Sequence, residues 1–524
     1  METSYGWLAI LPPLVAIGLA MWKRQVIASL LLGVWCGATI IGNYNPVTGI
    51  MDTFSKYIVA KSLADSWNIG VIVFCLGIGG MVGVIGKLGG TKAIAEKITN
   101  KAKSTQSTLL ATALMGVVIF FDDYANSMIV GNTMRPITDK NKISREKLSY
   151  LIDSTAAPVS SMAPLSTWIA MELGLIASSL KSVNIEGNSM IVFAQSVPFR
   201  FYSLFALMLL FILIFTKKDF GPMLKAELRS RKTGQVFAGD SHPMVVEDKN
   251  LYPQAGTKCS VWDAVIPISL FILITLVGLA YNGGFGVDGK SLRDAYGDAD
   301  ASVVLTWAAG ISSVYAIVSG IVSKKLNLTQ GVDAWVSGVK TMVIAAIILT
   351  LAFALKAVVS DMGLANWLVD LTRNSLSGAI LPTVTFLLAM IIAFATGTSW
   401  GTNAILMPIA VPVAAAVSGA TTSVTPLIIA TIGAVLTGAV FGDHCSPISD
   451  TTILSSMAAG SDHVDHVKTQ IPYASIAAGV ALVFGFIPAG LGLSPWISLL
   501  VGFVVIFFIV RMVGKKYSDD GEII

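Results

Sequence analysis

The chain has 524 residues, of which 54% are hydrophobic and 13% are charged, and its mean hydropathy is +0.75. This composition excludes an ordinary soluble globular protein, and recurring apolar runs of about 17–25 residues predict an all-α polytopic membrane protein. The net charge of +4 indicates no nucleic-acid partner, because the basic residues cluster in short loops between the apolar runs.

The sequence contains four cysteines, and their spacing fits neither a metal site nor a disulfide framework. They are Cys36, Cys75, Cys259 and Cys445. No basic residue precedes the first apolar run, so the sequence predicts no cleavable signal peptide. Nothing in these patterns indicates a bound cofactor.

The N-terminal region, residues 1–67, is predicted to hold two membrane spans and an interfacial segment. The first span, 7–22, ends at Lys23 and Arg24. Because basic residues favour the cytoplasmic side, this ending predicts that the amino terminus lies outside. The second span, 25–41, emerges into a loop that starts without basic residues.

The segment 106–135 is predicted to form a re-entrant helical hairpin. It carries Asp122 and Asp123 between two apolar runs. Basic residues flank it on both sides and each half is short for a full span, so both ends are predicted to be cytoplasmic. An aspartate inside a membrane costs roughly 3 kcal/mol or more unless it faces protein or water. Two in succession therefore predict an ion or proton site.

A broken transmembrane helix is predicted over 148–180. Two prolines and several hydroxyl residues interrupt it between Asp153 and Pro164. With the preceding span and hairpin it forms the predicted repeat 1, residues 68–216. A polar cytoplasmic loop is predicted to follow over 217–260.

The second half shows the same order of elements. A second hairpin is predicted over 380–418, and a second broken helix is predicted over 425–460. Both belong to the predicted repeat 2, residues 261–470. The remaining residues, 471–524, are predicted to form C-terminal spans and a tail that ends in the cytoplasm.

The two repeats are predicted to have opposite orientations in the membrane. Loop charges place the entrance of the first hairpin on the cytoplasmic side and that of the second hairpin on the outer side. Asp153 with Pro158 also parallels Asp443 with Pro447. Inverted repeats with interrupted helices are typical of secondary transporters, whose binding site lies near the midplane.

The hairpin tips and helix breaks supply the oxygen ligands that a dehydrated Na⁺ needs. The candidate ion- or substrate-binding residues are Asp122, Asp123, Asn126, Ser127, Asp153, Ser154, Thr155, Thr398, Ser399, Thr402, Asn403, Asp443, His444, Ser446 and Asp450. Na⁺ itself is predicted at Asp123, Asp153 and Asp443. No basic residue lies within these motifs. Carboxylates that hold either Na⁺ or H⁺ would produce antiport by competition.

Each motif also has a simpler interpretation. Asp122 or Asp123 could cap a helix inside the hairpin instead of binding an ion. A transition metal at Asp443, His444 and Cys445 is disfavoured, since three consecutive residues rarely converge on one ion. His444 is then either a proton-sensitive neighbour or a packed polar group.

Five further residues leave alternatives open. His463 and His466 are predicted to be solvated loop residues, with pH sensing as the alternative. Lys356 lies in an apolar run, where it either neutralises a buried carboxylate or reaches the membrane surface. Trp168 and Trp400 either line a cavity or pack between helices.

Two long motifs resemble the NhaC family of sodium/proton antiporters. They are FFDDYANS at 120–127, continued by GNTMRP at 131–136, and GDHCSPISDTT at 442–452, while GTSWGT at 397–402 also fits. The resemblance covers roughly residues 70–480. It implies the architecture of the ion-transporter superfamily, with paired inverted repeats and hairpins, commonly in homodimers. It also implies Na⁺/H⁺ exchange in the bacterial cytoplasmic (inner) membrane.

The leading hypothesis is a Na⁺/H⁺ antiporter that works by alternating access and is not an enzyme. The alternative is a Na⁺- or H⁺-coupled carrier of a small organic acid or amino acid, because the resemblance includes relatives that carry such solutes. An intramembrane aspartyl protease fits poorly, since an inverted repeat has no role in it. The predicted partners are Na⁺, H⁺ and the lipid bilayer, with a small carboxylate or amino acid added under the alternative.

Overall fold

The structure is a computed structural model, and it describes residues 5–23, 25–90, 92–93, 104–120, 123–163, 166–242, 251, 253, 257–364, 367 and 377–524. Some of the sequence-based predictions fall outside this part of the chain. They concern Arg24, Asp122, Pro164 and most of the basic segment 87–103 that precedes the first hairpin.

The described part of the N-terminal region consists of helices joined by short turns, such as the turn at 42–45. Its α-helices are α1 (Leu11–Lys23), α2 (Val26–Ile41), α3 (Pro46–Asp52) and α4 (Ser66–Leu88). A 3₁₀ turn at Gly6–Ile10 precedes α1, and a π-helical stretch at Thr53–Leu63 continues α3. Asp65 accepts a hydrogen bond from the backbone of Asn68 and so caps the start of α4.

The first predicted hairpin consists of α5 (Thr105–Val118) and α6 (Asp123–Lys140). Ser104 and Ser107 form a capping box that starts α5. Both outer ends of the hairpin lie at the same end of the helix bundle as residues 217–242. We call this end, which also holds Lys515–Lys516, the basic end, and the other the opposite end.

The first predicted broken helix is interrupted at Ala156, whose backbone leaves the helical region with φ −81° and ψ −95°. The pieces are α7 (Arg145–Thr155), α8 (Ala157–Ser160) and α9 (Thr167–Ser182). The chain then returns through α10 (Ser189–Ser196), a 3₁₀ turn at Val197–Phe199 and α11 (Phe201–Thr216).

The segment predicted as a polar loop, 217–260, contains regular structure of its own. It holds the short strand β1 (Lys218–Asp219) and α12 (Gly221–Thr233). Glu227 on α12 accepts hydrogen bonds from the backbone and hydroxyl of Ser144, at 2.9 and 2.7 Å, so this helix is packed against the start of α7.

The second half begins with long helices. They are α13 (Trp262–Asn282), α14 (Leu292–Asp298), α15 (Ala301–Val322) and α16 (Leu328–Asp361), with a 3₁₀ turn at Val287–Gly289. A Cβ atom on Gly338 of α16 would lie 2.2 Å from the backbone oxygen of Gly79 on α4. Because neither Gly338 nor Gly79 has a side chain, the backbones of α16 and α4 come into direct contact. This contact positions the later turns of α16 beside the hairpin tips.

The second predicted hairpin consists of α17 (Leu381–Thr396) and α18 (Ser399–Ser418). Thr422, just beyond it, accepts a backbone hydrogen bond from Glu186 at the opposite end of the bundle. The two hairpins therefore enter the bundle from opposite ends. The second predicted broken helix consists of α19 (Pro426–Cys445) and α20 (Asp450–Ala459).

The chain ends with α21 (His463–Val480), a π-helical stretch at Ala481–Phe486, α22 (Ile487–Gly490), α23 (Pro495–Val513) and β2 (Lys515–Lys516). Strand β2 pairs antiparallel with β1, with Lys218 opposite Lys516. The C-terminal tail is thereby attached to the basic end.

Seven of the described helices are long and apolar enough to cross a membrane, and eight if a pair bent by 48° counts as one span. They are Ser66–Leu88, Trp262–Asn282, Ser302–Val322, Ser399–Ser418, Pro426–Cys445, His463–Gly490, Pro495–Val513 and the bent pair Ser189–Phe199 with Phe201–Thr216. The predicted all-α polytopic membrane fold is confirmed. The inverted repeat and its boundaries stay a prediction.

Candidate functional site

A cavity of about 460 Å³ lies where both hairpin tips meet the break between α19 and α20. Side chains from the N-terminal region, from α6, from α16 and from α18 line it together with the two sides of that break. The lining residues are Lys61, Asp65, Trp67, Asn68, Asp123, Tyr124, Phe353, Lys356, Ala357, Ser360, Thr398, Ser399, Trp400, Asp443 and Asp450.

Asp443, in the last turn of α19, is held by hydroxyl groups from two directions. Ser399, the first residue of α18, donates to one carboxylate oxygen at 2.7 Å, and Ser449 in the break donates to the other at 2.5 Å. Thr452 donates to the Asp443 backbone carbonyl at 2.9 Å. The carboxylate is 2% exposed and faces the cavity.

Asp450 begins α20, where the helix dipole favours a negative charge. The phenol of Tyr124 donates to one of its oxygens at 2.7 Å, and the backbone of Thr451 donates to the other at 2.8 Å. Tyr124 belongs to the first hairpin and Ser399 to the second. Each hairpin tip therefore supplies a hydroxyl to a different carboxylate of the same break.

The tip of the second hairpin needs its glycine. Gly397 has φ +66°, and a Cβ atom there would lie 2.5 Å from the backbone oxygen of Ile448. The close approach seats Thr398 and Ser399 against the break, and Thr398 caps α18 by accepting from Gly401. On the first hairpin Asp123 starts α6, is 4% exposed and lines the cavity.

Acidic groups outnumber basic groups in the cavity lining. Asp123, Asp443 and Asp450 face it together with the ammonium group of Lys356. A second lysine, Lys61, stands nearer the opposite end and pairs with Asp361 at 2.5 Å. Counting Asp65 as well, four carboxylates line the cavity against the two lysines, which leaves an excess of negative charge that a bound cation or proton relieves.

A tryptophan pair borders the cavity. The rings of Trp67 and Trp400 lie 5.2 Å apart, and Trp168 packs against the other side of Trp400 at 6.0 Å. Of the two tryptophans with open alternatives, Trp400 lines the cavity and Trp168 is fully buried behind it.

Asp153 is not brought to the cavity. It is fully buried at the end of α7, where Ser455 donates to one oxygen at 3.3 Å and Gln470 to the other at 2.7 Å. The Nε2 atom of His466 lies 3.8 Å from the same carboxylate. The predicted Na⁺ ligands are therefore divided, with Asp123 and Asp443 in the cavity and Asp153 behind it.

Asn126 connects the first hairpin to the first broken helix. Its amide nitrogen lies 2.6 Å from the carbonyl oxygen of Gly116, 3.0 Å from that of Ile119 and 3.0 Å from that of Thr155. These carbonyls are freed where α5 and α7 end, and a buried carbonyl without a donor is costly. The geometry assigns Asn126 a positioning role at the interface of the two elements.

The other predicted site residues lie behind the cavity lining. Ser127 contacts Ser455 at 3.1 Å, and Ser154 contacts the Nε2 atom of His444 at 2.9 Å. The hydroxyls of Thr155, Thr402 and Ser446 donate to backbone carbonyls of Leu151, Thr398 and Phe394. Asn403 is fully buried, and within the described part of the chain neither its amide oxygen nor its amide nitrogen has a hydrogen-bond partner.

The prediction that His463 and His466 are solvated was wrong. They are 2% and 0% exposed. The preceding Asp462 caps α21 and also accepts from the backbone of His242, so the loop 241–242 covers the start of the helix. His444 is buried as well, and Tyr202 and Ser154 occupy its two ring nitrogens.

Several cavity residues were missing from the predicted site, among them Tyr124, Lys61, Asp65 and Asn68. Tyr124 stands inside a recognised motif, and its hydroxyl was identifiable as a possible donor beside the aspartates. A buried ion pair between Arg200 and Glu172, at 2.6 Å, was not predicted. Arg200 also donates to the backbone oxygen of Ser161 and so holds the first helix break in place.

Within the described residues, no three His, Cys, Asp or Glu side chains form a metal-binding cluster. The three cavity carboxylates therefore share one cavity without converging on one point. A cation there would complete its ligands with hydroxyl, backbone or water oxygens.

Comparison with known proteins agrees with the motifs. The chain matches the Na⁺/H⁺ antiporter family over residues 4–167 and 161–491. It is 32% identical to an uncharacterized protein of Haemophilus influenzae over 520 residues, which is 97% of this chain and 96% of the relative.

Two shorter matches carry more informative names. An uncharacterized Na⁺/H⁺ antiporter of Haemophilus influenzae is 33% identical over 150 residues, covering 28% of this chain and 30% of the relative. A malate-2H⁺/Na⁺-lactate antiporter of Bacillus subtilis is 35% identical over 106 residues, covering 20% and 21%. The chain is a multi-pass secondary transporter and belongs to the Na⁺/H⁺ antiporter family.

Proposed function

We propose that the protein exchanges Na⁺ for H⁺ at the cavity carboxylates Asp123, Asp443 and Asp450. The observation that carries this proposal is their convergence on one cavity from three separate helix starts and ends. Their excess negative charge in a low-dielectric surrounding favours occupancy by a cation or a proton. Competition between the two for the same carboxylates couples their movements.

The hydrogen bonds of the cavity connect the two carboxylates of the second break to the hairpin tips, as a transport cycle requires. Asp443 is bound by the second hairpin through Ser399, and Asp450 is bound by the first hairpin through Tyr124. A cation that replaces these donors changes how each hairpin tip is held. Asp153 is not part of this cation site, because Ser455 and Gln470 occupy its oxygens and it is fully buried.

Reconstituted liposomes test the proposal. An imposed Na⁺ gradient should move protons in the opposite direction without any organic solute, and Asp443→Asn should abolish this flux. Asp288→Asn is the matched control, because Asp288 is exposed in a loop and asparagine tolerates its φ of +51°. Proton flux that appears only when an organic solute is added contradicts Na⁺/H⁺ exchange as the main activity.

A second candidate is a Na⁺- or H⁺-coupled carrier of a small organic acid or amino acid. The volume of about 460 Å³ supports it, because small-molecule sites measure about 300–1,000 Å³. Lys356 would pair with the carboxylate of such a solute. The name of the Bacillus subtilis relative, which couples protons and Na⁺ to malate and lactate, also supports this candidate.

Lys356→Met separates the two candidates. If the solute is a carboxylate, this variant loses solute-dependent transport and solute-induced protection against heat, while Na⁺ binding persists. If Na⁺ and H⁺ are the only substrates, no carboxylate or amino acid changes the flux of either the parent protein or the variant.

The same proposal includes orientation, location and assembly. The basic end faces the cytoplasm of a bacterium, so the C-terminus is cytoplasmic and the N-terminus lies outside the inner membrane. The resemblance to NhaC transporters supports a homodimer. Labelling of a single cysteine introduced at Ser518 from the cytoplasmic side only would support this orientation, and cross-linking in membranes tests the dimer.

A further inference from the structure

The interior contains a hydrogen-bonded group of side chains that the cavity does not use. Ser456 on α20 lies between two histidines of α21, 3.0 Å from the Nδ1 atom of His463 and 2.7 Å from the Nδ1 atom of His466. We call these three residues the histidine bridge. All three are at most 2% exposed.

The outer nitrogens of both imidazoles face oxygen acceptors. The Nε2 atom of His463 lies 2.8 Å from the backbone oxygen of Pro447, which can only accept a hydrogen bond. The Nε2 atom of His466 lies 2.7 Å from the side-chain oxygen of Gln470. The orientation of Gln470 is assigned by its amide nitrogen, which donates to Asp153 and to the backbone oxygen of His444.

Both Nε2 atoms therefore carry a hydrogen, and in neutral imidazoles both Nδ1 atoms are then acceptors. The Ser456 hydroxyl has one hydrogen for the two of them. A neutral bridge leaves one Nδ1 lone pair facing the lone pairs of the hydroxyl oxygen. The backbone oxygen of Thr452, 2.7 Å from the same hydroxyl, competes for its hydrogen and makes the shortage worse.

We propose that the histidine bridge is a proton-binding site, separate from the cavity, with Asp153 as its counter-ion. One added proton completes the series N–H···O–H···N, with one imidazole as donor, the hydroxyl as relay and the other imidazole as acceptor. The positive charge rests on His463 or His466, and the proton moves between them when the hydroxyl passes on its own hydrogen.

Burial alone disfavours an isolated imidazolium, so the site requires a nearby negative charge. The Asp153 carboxylate, 3.8 Å from the Nε2 atom of His466, supplies it. The charged and titratable groups around the bridge are Asp139 on α6, Arg145 and Asp153 on α7, His444 on α19, and Asp462 and Asp465 on α21. Arg145 is already paired with Asp139.

The position of the bridge connects it to the cavity through α20. Asp450 begins this helix at the cavity, and Ser456 lies about 9 Å further along it. Ser455, beside Ser456, donates to Asp153 and contacts Ser127, which lies one helical turn from Asp123 on α6. The role of the site as a proton store for transport rests on the proposed function, whereas proton binding itself does not.

Nitrogen NMR of the full-length protein in lipid vesicles tests proton binding directly. With ¹⁵N-labelled histidine the chain gives signals from four residues only, since it contains four histidines. At neutral pH we expect one imidazolium within the bridge, with the signals assigned from His463→Gln and His466→Gln. Ser456→Ala should remove this imidazolium, and His242→Gln, which alters an exposed ring, should leave it unchanged. Two neutral imidazoles at neutral pH in the parent protein overturn the proposal.

A transport measurement tests the role of the histidine bridge separately from the proposed Na⁺/H⁺ exchange. Ser456→Ala should lose most proton-driven Na⁺ movement in liposomes while keeping Na⁺-dependent thermal stabilisation. If the imidazolium is present but the variant transports normally, the bridge binds a proton that does not take part in the cycle, and its role as a proton store is refuted. If the parent protein shows no Na⁺/H⁺ exchange, the NMR result still decides whether the site exists.

Discussion

The two broken helices hold their aspartates in different surroundings. Asp443 at the second break faces the cavity and receives hydroxyls from Ser399 and Ser449. Asp153 at the first break is sealed behind the cavity, among Ser455, Gln470 and His466. An ion that is transported needs a path to water, whereas a charge that only compensates a neighbour does not. The two positions are thus suited to different tasks.

The breaks also differ in how they are anchored. The first is held by the buried ion pair of Arg200 with Glu172, and its α7 is tied at the basic end to α12 and the C-terminal tail. The second is held by hydrogen bonds, among them that from Ser446 to the carbonyl of Phe394 and those to the Asp443 carboxylate. The first break therefore depends on a buried ion pair between two side chains, and the second on hydrogen bonds.

Breaking the anchor of the first helix should have the largest effect. Glu172→Gln leaves the Arg200 charge buried without its partner, which costs on the order of 3–5 kcal/mol of folding free energy. Ser446→Ala, at the second break, should cost only about 1 kcal/mol. Thermal unfolding in detergent, monitored through the exposure of buried cysteines, measures the loss of stability in both variants. Equal losses would contradict the difference in anchoring.

Exchanging each aspartate for its amide sharpens the comparison of their tasks. Asp443→Asn should weaken Na⁺ binding roughly thirtyfold, equivalent to about 2 kcal/mol, because a direct charge contact is lost. Asp153→Asn should leave Na⁺ affinity within about twofold, a difference of less than 0.5 kcal/mol. Binding of radiolabelled Na⁺ to the two purified variants measures both affinities. A larger loss in Asp153→Asn would reverse the assignment.

Removing the hydroxyls that donate to Asp443 and Asp153 should affect Na⁺ transport differently in the same way, but by a smaller factor. Ser399→Ala removes the donor from Asp443 at the cavity, so the Na⁺ concentration for half-maximal transport should change about three- to tenfold, or roughly 1 kcal/mol. Ser455→Ala removes the donor from Asp153 and should leave this concentration unchanged. Transport kinetics at varied Na⁺ measure both variants. An effect confined to Ser455→Ala would be inconsistent with a cavity site at Asp443.

The anchor at the basic end should respond to alkaline pH. Burial, together with the nearby Asp219 carboxylate, raises the pKa of Tyr517 well above its usual 10.0, and its phenol donates to Asp219 at 2.5 Å. The docked tail therefore stabilises the fold at neutral pH, and this contribution is lost as pH rises from 10.0 towards the raised pKa.

Tyr517→Phe should lose about 1 kcal/mol of tail docking at neutral pH and should remove the alkaline response. Protease sensitivity of residues 514–524 across this pH range measures the effect. A variant that keeps the alkaline response would assign it to another group.

The elements that position the cavity were predictable from local sequence. Loop charges and short apolar runs predicted both hairpins, and clusters of proline, glycine and aspartate predicted interruptions where the structure has the backbone break at Ala156 and the gap between α19 and α20. These signals depend on backbone chemistry and on the cost of charge in lipid, which act over a few residues. The convergence of Asp123 and Asp443 followed from placing the predicted interruptions at one depth.

What the sequence could not show depends on contacts between distant segments. His463 and His466 are buried against Ser456, Pro447 and Gln470, and His242, about 220 positions away in the chain, contacts the preceding Asp462. The sealing of Asp153 depends on Gln470, a residue of another helix with no motif around it. Lys356 was ambiguous because its role depends on which face of a long apolar helix meets the cavity.

The tryptophan pair at the cavity has a practical consequence. Indole emission depends on the polarity and charge of its surroundings, and Trp400 shares a wall with Asp443 and Lys356 while its ring lies 5.2 Å from that of Trp67. If a cation fills the proposed site, that environment changes, and we expect the intrinsic fluorescence of the unlabelled protein to report occupancy. The contribution of this one indole, among eleven in the chain, is obtained by subtracting the spectrum of Trp400→Phe.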